Sequence, residues 1–199
     1  MLKLSDNPQV LYPPEADELS SIPGTWHVAH TKARCEKAFA SDLASRGIAY
    51  FLPMIERITF SGGRKRRGMM PLFTGYVFFA AGDEADRQAA LATDRLACVI
   101  EVRDQVRLVK ELAATHRALK NKIALDPYPF AVTGRRVRVA FGPLQGTEGV
   151  VVRRDGRERL VLEVGILGQG AAMEIGPELL EPVDPPDAKR ISPQRRASR

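Results

Sequence analysis

Two kinds of hydrophobic periodicity meet at Asp126-Pro127-Tyr128-Pro129, and a single packed layer cannot satisfy both. Before this break, apolar residues fall at strand and helix spacings in turn. After it the chain is rich in Gly and Val and alternates, as in Arg136-Val137-Arg138-Val139-Ala140. A proline lacks a backbone donor and biases the preceding residue away from helix, so this stretch ends the last helix and serves as a linker. The expected organisation is a tail at 1–23, a first domain at 24–125, a linker at 126–133, a second domain at 134–183 and a basic tail at 184–199. Both tails read as flexible, since they hold prolines and charges with little to bury.

In the first domain Trp26-His27-Val28-Ala29-His30 alternates, and Thr31 is placed to cap a helix. Cys35, Phe39 and Leu43 then recur every four residues, an apolar stripe over 32–46 that Gly47 terminates. This puts Lys32 and Arg34 at the helix start, where positive charge opposes the macrodipole. Ile48 to Ile58 reads as a strand bent at Pro53, Ser61 to Gly68 as a basic tip, and Leu72 to Phe79 as an aromatic strand. Helices over 83–91 and 106–123 flank a strand over 96–102. The order β-α-β-β-α-β-α predicts an α+β domain, an antiparallel sheet flanked by helices. In the second domain four or five short strands, with a hairpin signal at Asp155-Gly156, predict a small all-β barrel.

The 199-residue chain carries a formal net charge of +6, distributed unevenly. The first domain holds seventeen Lys/Arg against ten Asp/Glu, whereas the second balances seven against seven. Such a block suits a polyanion or an acidic protein surface. Within it Arg64-Lys65-Arg66-Arg67, flanked by glycines, either clamps phosphate or forms a solvated loop. By alternation Leu72, Thr74, Tyr76 and Phe78 share one strand face, which is either core or an open groove for a partner helix.

Catalysis finds no constellation of residues. His27, His30 and His116 lie in no nucleophile motif, and no Walker loop or dinucleotide fingerprint occurs. Cys35 and Cys98 read as small buried hydrophobes rather than metal ligands, because C-x-x-C spacing is absent. No cofactor or metal is expected. Two cysteines make no disulfide framework, no apolar run is long enough for a bilayer and Met1-Leu2-Lys3-Leu4 opens no signal peptide, so the expected location is cytoplasmic with no membrane contact.

Several motifs then fall in a familiar order. Trp26-x-Val28-x-His30-Thr31-Lys32-x-Arg34-x-Glu36, Phe51-Leu52-Pro53 and Pro71-Leu72-Phe73-x-Gly75-Tyr76-Val77-Phe78 resemble the N-terminal domain of NusG/RfaH transcription elongation factors. Gly134-x-x-Val137-x-Val139-x-x-Gly142-Pro143-x-x-Gly146-x-x-Gly149-x-Val151 resembles the KOW motif of the same family, and the likeness runs over about residues 24–183. The resemblance implies a monomeric, nucleoid-associated, non-enzymatic elongation or antitermination factor. Its groove would bind the clamp helices of the largest RNA polymerase subunit through Phe51, Pro53, Leu72, Phe73, Tyr76 and Phe78. The non-template DNA strand would pass Lys32 and Arg95, with Arg34, Arg64, Lys65, Arg66 and Arg67 as further nucleic-acid candidates. Asp94 interrupts the Thr-Arg dipeptide of RfaH-like members, and their His-Thr-Thr segment reads Asp86-Arg87-Gln88-Ala89 here. The KOW domain would recruit a ribosomal small-subunit protein or Rho through Ile166 and Leu167, which are alternatively barrel core. A KOW-type RNA-binding or ribosome-associated protein is the competing expectation.

Overall fold

The computed structural model describes residues 7–61, 64–128, 134–154 and 157–183. Asp155-Gly156, most of the expected linker and the basic C-terminal tail lie outside the described residues. The first sheet contains β1 (Leu11–Tyr12), β2 (Thr25–Thr31), β3 (Ala49–Phe51), β6 (Tyr76–Ala81) and β7 (Leu96–Ile100), in the order β1-β3-β6-β2-β7 with every neighbour antiparallel. Strands β4 (Met54–Ser61) and β5 (Arg64–Pro71) form a separate two-stranded ribbon.

Strand alternation divides the sheet into two buried faces. Trp26, Val28, Phe51, Phe78 and Ala80 point to the side covered by Leu108, Leu112 and Ala118 of α3 (Gln105–Lys120). Ala29, Tyr50, Val77 and Phe79 point to the other, against Phe39 and Leu43 of α1 (Glu36–Ser45) and Ala90 of α2 (Glu84–Leu91). Asp83 caps α2 by accepting from the Asp86 N–H, and Asp104 caps α3 from the Arg107 N–H.

The start of α1 differs from the sequence expectation. Thr31 does not cap it, because its N–H and hydroxyl are both turned to the Gly75 carbonyl as the last residue of β2. Lys32 to Cys35 makes a turn with Arg34 in the left-handed region, and the helix begins at Glu36. Lys32 and Arg34 therefore stand before the helix, and the macrodipole argument does not apply to them. Buried Glu36 instead accepts from the Gly75 N–H at 2.7 Å, tying α1 to the turn that leads into β6. Leu72 to Gly75 is that turn, not strand.

The N-terminal segment also departs from expectation. Residues 7–23, read as part of a flexible tail, pair and pack. Leu11 and Tyr12 extend the sheet beside Phe51 and Tyr50, and the Leu52 N–H donates to the Val10 carbonyl. Leu19 is fully buried in a 3-10 turn (Leu19–Ser21) against α3, and Asp17 pairs with Lys120 at 2.9 Å. The average composition hid three anchors, Leu11, Leu19 and Ile22, that suffice to dock an otherwise polar segment.

His116 of α3 lies edge-on to Phe51, with ring centroids 5.7 Å apart. Burial, then the nearby Lys120, pulls its pKa below the ordinary 6.5 despite Asp17 and Glu18. His27, stacked on Phe79, is shifted the same way by burial and then Arg87. The unfolded chain then binds more protons below about pH 6.5, so stability falls as pH drops through that value. Urea unfolding followed from pH 7.5 to 5 checks this, and His116→Gln flattens part of the slope.

The second sheet contains β8 (Asp126–Tyr128), β9 (Arg135–Val139), β10 (Glu148–Arg154), β11 (Arg157–Val164), β12 (Gln169–Glu174) and β13 (Leu180–Pro182), ordered β13-β9-β10-β11-β12-β8 and antiparallel throughout. The start of the expected linker is thus a strand, because Pro127 at a sheet edge forfeits no ladder bond the sheet requires. Val150, Val161 and Ala172 align on one face beside Tyr128. Val137, Val139, Leu160, Leu162 and Met173 join the apolar cluster that also holds α3. Across this junction the Gly165 N–H donates to Glu111 Oε2 at 2.8 Å, and Lys110 pairs with Glu148 at 3.3 Å. Among the described residues no helix is long and apolar enough to cross a membrane.

Candidate functional site

The aromatic residues singled out in the sequence do converge. Phe51 stacks on Phe78 with centroids 6.2 Å apart, and Phe73 meets Phe78 edge-on at 6.1 Å. Phe51, Pro53, Leu72, Phe73 and Phe78 are nonetheless buried. Helix α3 and the N-terminal segment cover the face that an open groove would require, so these five are core, and Phe78 is no exposed anchor. Tyr76 alone of the six is partly accessible, stacked on His30 at 5.0 Å.

Accessible apolar residues also occur on the ribbon. In an antiparallel pair, directly opposed residues share a face. The register sets Ile55 beside Met70 on one face, and Ile58 beside Arg67 and Phe60 beside Lys65 on the other. Ile55 and Tyr76 both pack on the cluster under α3, whereas Met54 and Met69 pack on the cluster under α1. Ile55 thus belongs to the same extended apolar cluster as Phe73, Tyr76 and Phe78, and Met70 stands exposed opposite it. Lys37 of α1 fixes the ribbon's base by donating to the Met69 carbonyl.

The cations fall into two groups. Lys32 and Arg95 are brought together, the Lys32 N–H donating to the Arg95 carbonyl. Each has an acidic partner, Asp94 at 2.5 Å from Lys32 and Asp42 at 3.0 Å from Arg95. The hydrogen bond from Lys32 holds the Asp94 carboxyl below its usual range, and the bond to Asp42 raises the Arg95 guanidinium further. Asp94, an interruption in sequence, is in space the counter-ion of Lys32. Arg34 is exposed in the turn before α1. Lys65 and Arg67 are exposed on the ribbon, Arg67 reaching Glu56 at 3.7 Å; the side chains of Arg64 and Arg66 lie outside the description.

In the second region Ile166 and Leu167 occupy a 3-10 turn (Gly165–Leu167), half-buried against the shared cluster. Ile166 faces a cleft lined by Val102, Asp104, Arg107 and Leu108, so this loop is turned toward the first domain. Cys98, expected as buried, is exposed on the edge strand β7, with its Sγ 3.9 Å from His30 Nδ1; Cys35 is half-buried. Among the described residues no cluster of His, Cys, Asp and Glu could hold a metal ion. Sequence reasoning did not single out Ile58, Phe60, Met70, Val106 or Phe141, the exposed large apolar residues. For Ile58 and Phe60 the available signal was alternation at the end of the expected strand, just before the basic run.

Residues 24–121 match the family model NusG, described as transcription termination factor nusG. Among solved structures the chain is similar to the crystal structure of the MjSpt4:Spt5 complex in conformation B, at 18% identity over 79% of this chain and 96% of that one, with a TM-score of 0.26. That overlap is too weak to compare the two shapes. No curated protein shows significant sequence similarity to the chain.

Proposed function

Through residues 24–121 the chain belongs to the NusG family of transcription factors, and on that footing we propose that it binds RNA polymerase at the clamp helices and modulates pausing or termination. The observation that carries this reading is the accessible apolar margin formed by Tyr76, Ile55 and Met70 beside the aromatic cluster. A helix laid there meets an aromatic anchor backed by a rigid core, the usual construction of a helix-in-groove contact. The chain acts by favouring one polymerase conformation, with no bond chemistry of its own and no cofactor. Its basic first domain steers it toward the polymerase–DNA complex, where Lys32, Arg95, Lys65 and Arg67 face the transcription bubble.

The charge-balanced second region is a KOW-type domain in this reading, and contact of its Ile166 and Leu167 with a ribosomal protein or Rho requires release of their turn from α3, against which it packs. A steeply salt-dependent grip on structured RNA, the competing expectation, suits that balance poorly. Co-elution of the purified chain with core RNA polymerase on a sizing column tests the proposal. Binding, reduced by Met70→Asp, is the expected result; absence of binding to both the core enzyme and a transcribing complex refutes it.

A further inference from the structure

On the outward face of the β4–β5 ribbon Lys65 and Arg67 have a task in the reading above, whereas Ile58 and Phe60 have none. This face carries Phe60 at 76% exposure and Ile58 at 47%, directly opposite Lys65 and Arg67. Long cationic stems often cover a cross-strand aromatic ring, yet here most of the Phe60 surface is left in water. The ribbon sequence 54–71 holds five Lys/Arg, at 57 and 64–67, against Glu56 alone. A basic partner is therefore disfavoured at this face and an anionic one is favoured, and an exposed ring between the cations adds a surface on which a planar group can stack.

We propose that Phe60 is a stacking platform for an unpaired base of single-stranded DNA, with Lys65 across from it and Arg67 two residues further along the same strand holding successive phosphates. Duplex bases have both faces occupied and cannot stack on a side chain, whereas any base of a single strand offers a π-face. The opposed positions of Phe60 and Lys65 place ring and cation on one surface, the combination that tracks a single strand with little sequence preference. The choice of DNA rests on the bubble-facing reading above; the stacking chemistry rests on the ribbon alone.

The test is fluorescence anisotropy of the full chain with labelled oligothymidylate, its duplex and oligouridylate, over a salt series and without polymerase. Phe60→Ala is expected to raise Kd for oligothymidylate about tenfold, with the salt slope unchanged and duplex binding unaffected. Phe60→Trp restores affinity, and its indole emission is quenched on binding. Lys65→Gln lowers the salt slope by about 0.7. Wild-type affinity in Phe60→Ala, an equal loss on duplex and single strand, tighter binding to oligouridylate, or no binding by the wild type would each overturn the proposal. Failure of clamp docking leaves these readings untouched, and failure of stacking leaves polymerase co-elution untouched.

Discussion

Leu19→Ala lowers the unfolding free energy by about 2–5 kcal/mol. Leu19 is fully buried, its turn packs on α3, and its loss opens a cavity in the cluster that joins α3 to the first sheet. Urea denaturation of the full chain reads the effect as a lower midpoint. Removal of residues 1–23 produces at least as large a loss, since it also strips β3 of its partner β1. A mobile tail would give neither result; unchanged midpoints for both variants would refute the packing described for this segment.

Tyr76→Ala weakens binding to core RNA polymerase by about 2 kcal/mol, some thirtyfold. The ring is the accessible end of an aromatic cluster whose other members are locked, so its truncation removes the contact and leaves the floor in place. Tyr76→Phe retains the ring on His30 and keeps most of the affinity. An unfolding curve for Tyr76→Ala separates lost contact from lost fold, since a half-buried position costs less stability than Phe78→Ala. Equal polymerase affinity in wild type and Tyr76→Ala would remove the helix-docking reading of this margin.

Alternation and helical stripes made the layered fold legible: Trp26 and Val28, Phe39 and Leu43, and Val137 and Val139 all sit on the faces their spacing assigns. What the sequence concealed were choices made by tertiary contacts. Thr31 is a good cap by type, but strand pairing with β7 and the Gly75 carbonyl claim it first. Phe51 and Phe78 are placed by motif in a groove, yet whether a face is open depends on what covers it, and two elements distant in sequence do so. The prolines and acids of residues 7–23 outweighed three apolar anchors in any local average. Phe60 was overlooked because a charge run dominates its neighbourhood, although register alone sets it opposite Lys65.

The β4–β5 ribbon stands apart from both larger sheets, held at its base by Lys37 and by Met54, Ile55 and Met69. A two-stranded ribbon is marginal by itself, and among the described residues no third strand pairs with this one. Its amide protons therefore exchange with solvent through local fraying from the Ser61–Arg64 end, on a timescale far shorter than that of Val77 to Ala80, whose exchange awaits the opening of the whole molecule. A ligand seated along the ribbon would close that difference without altering the core.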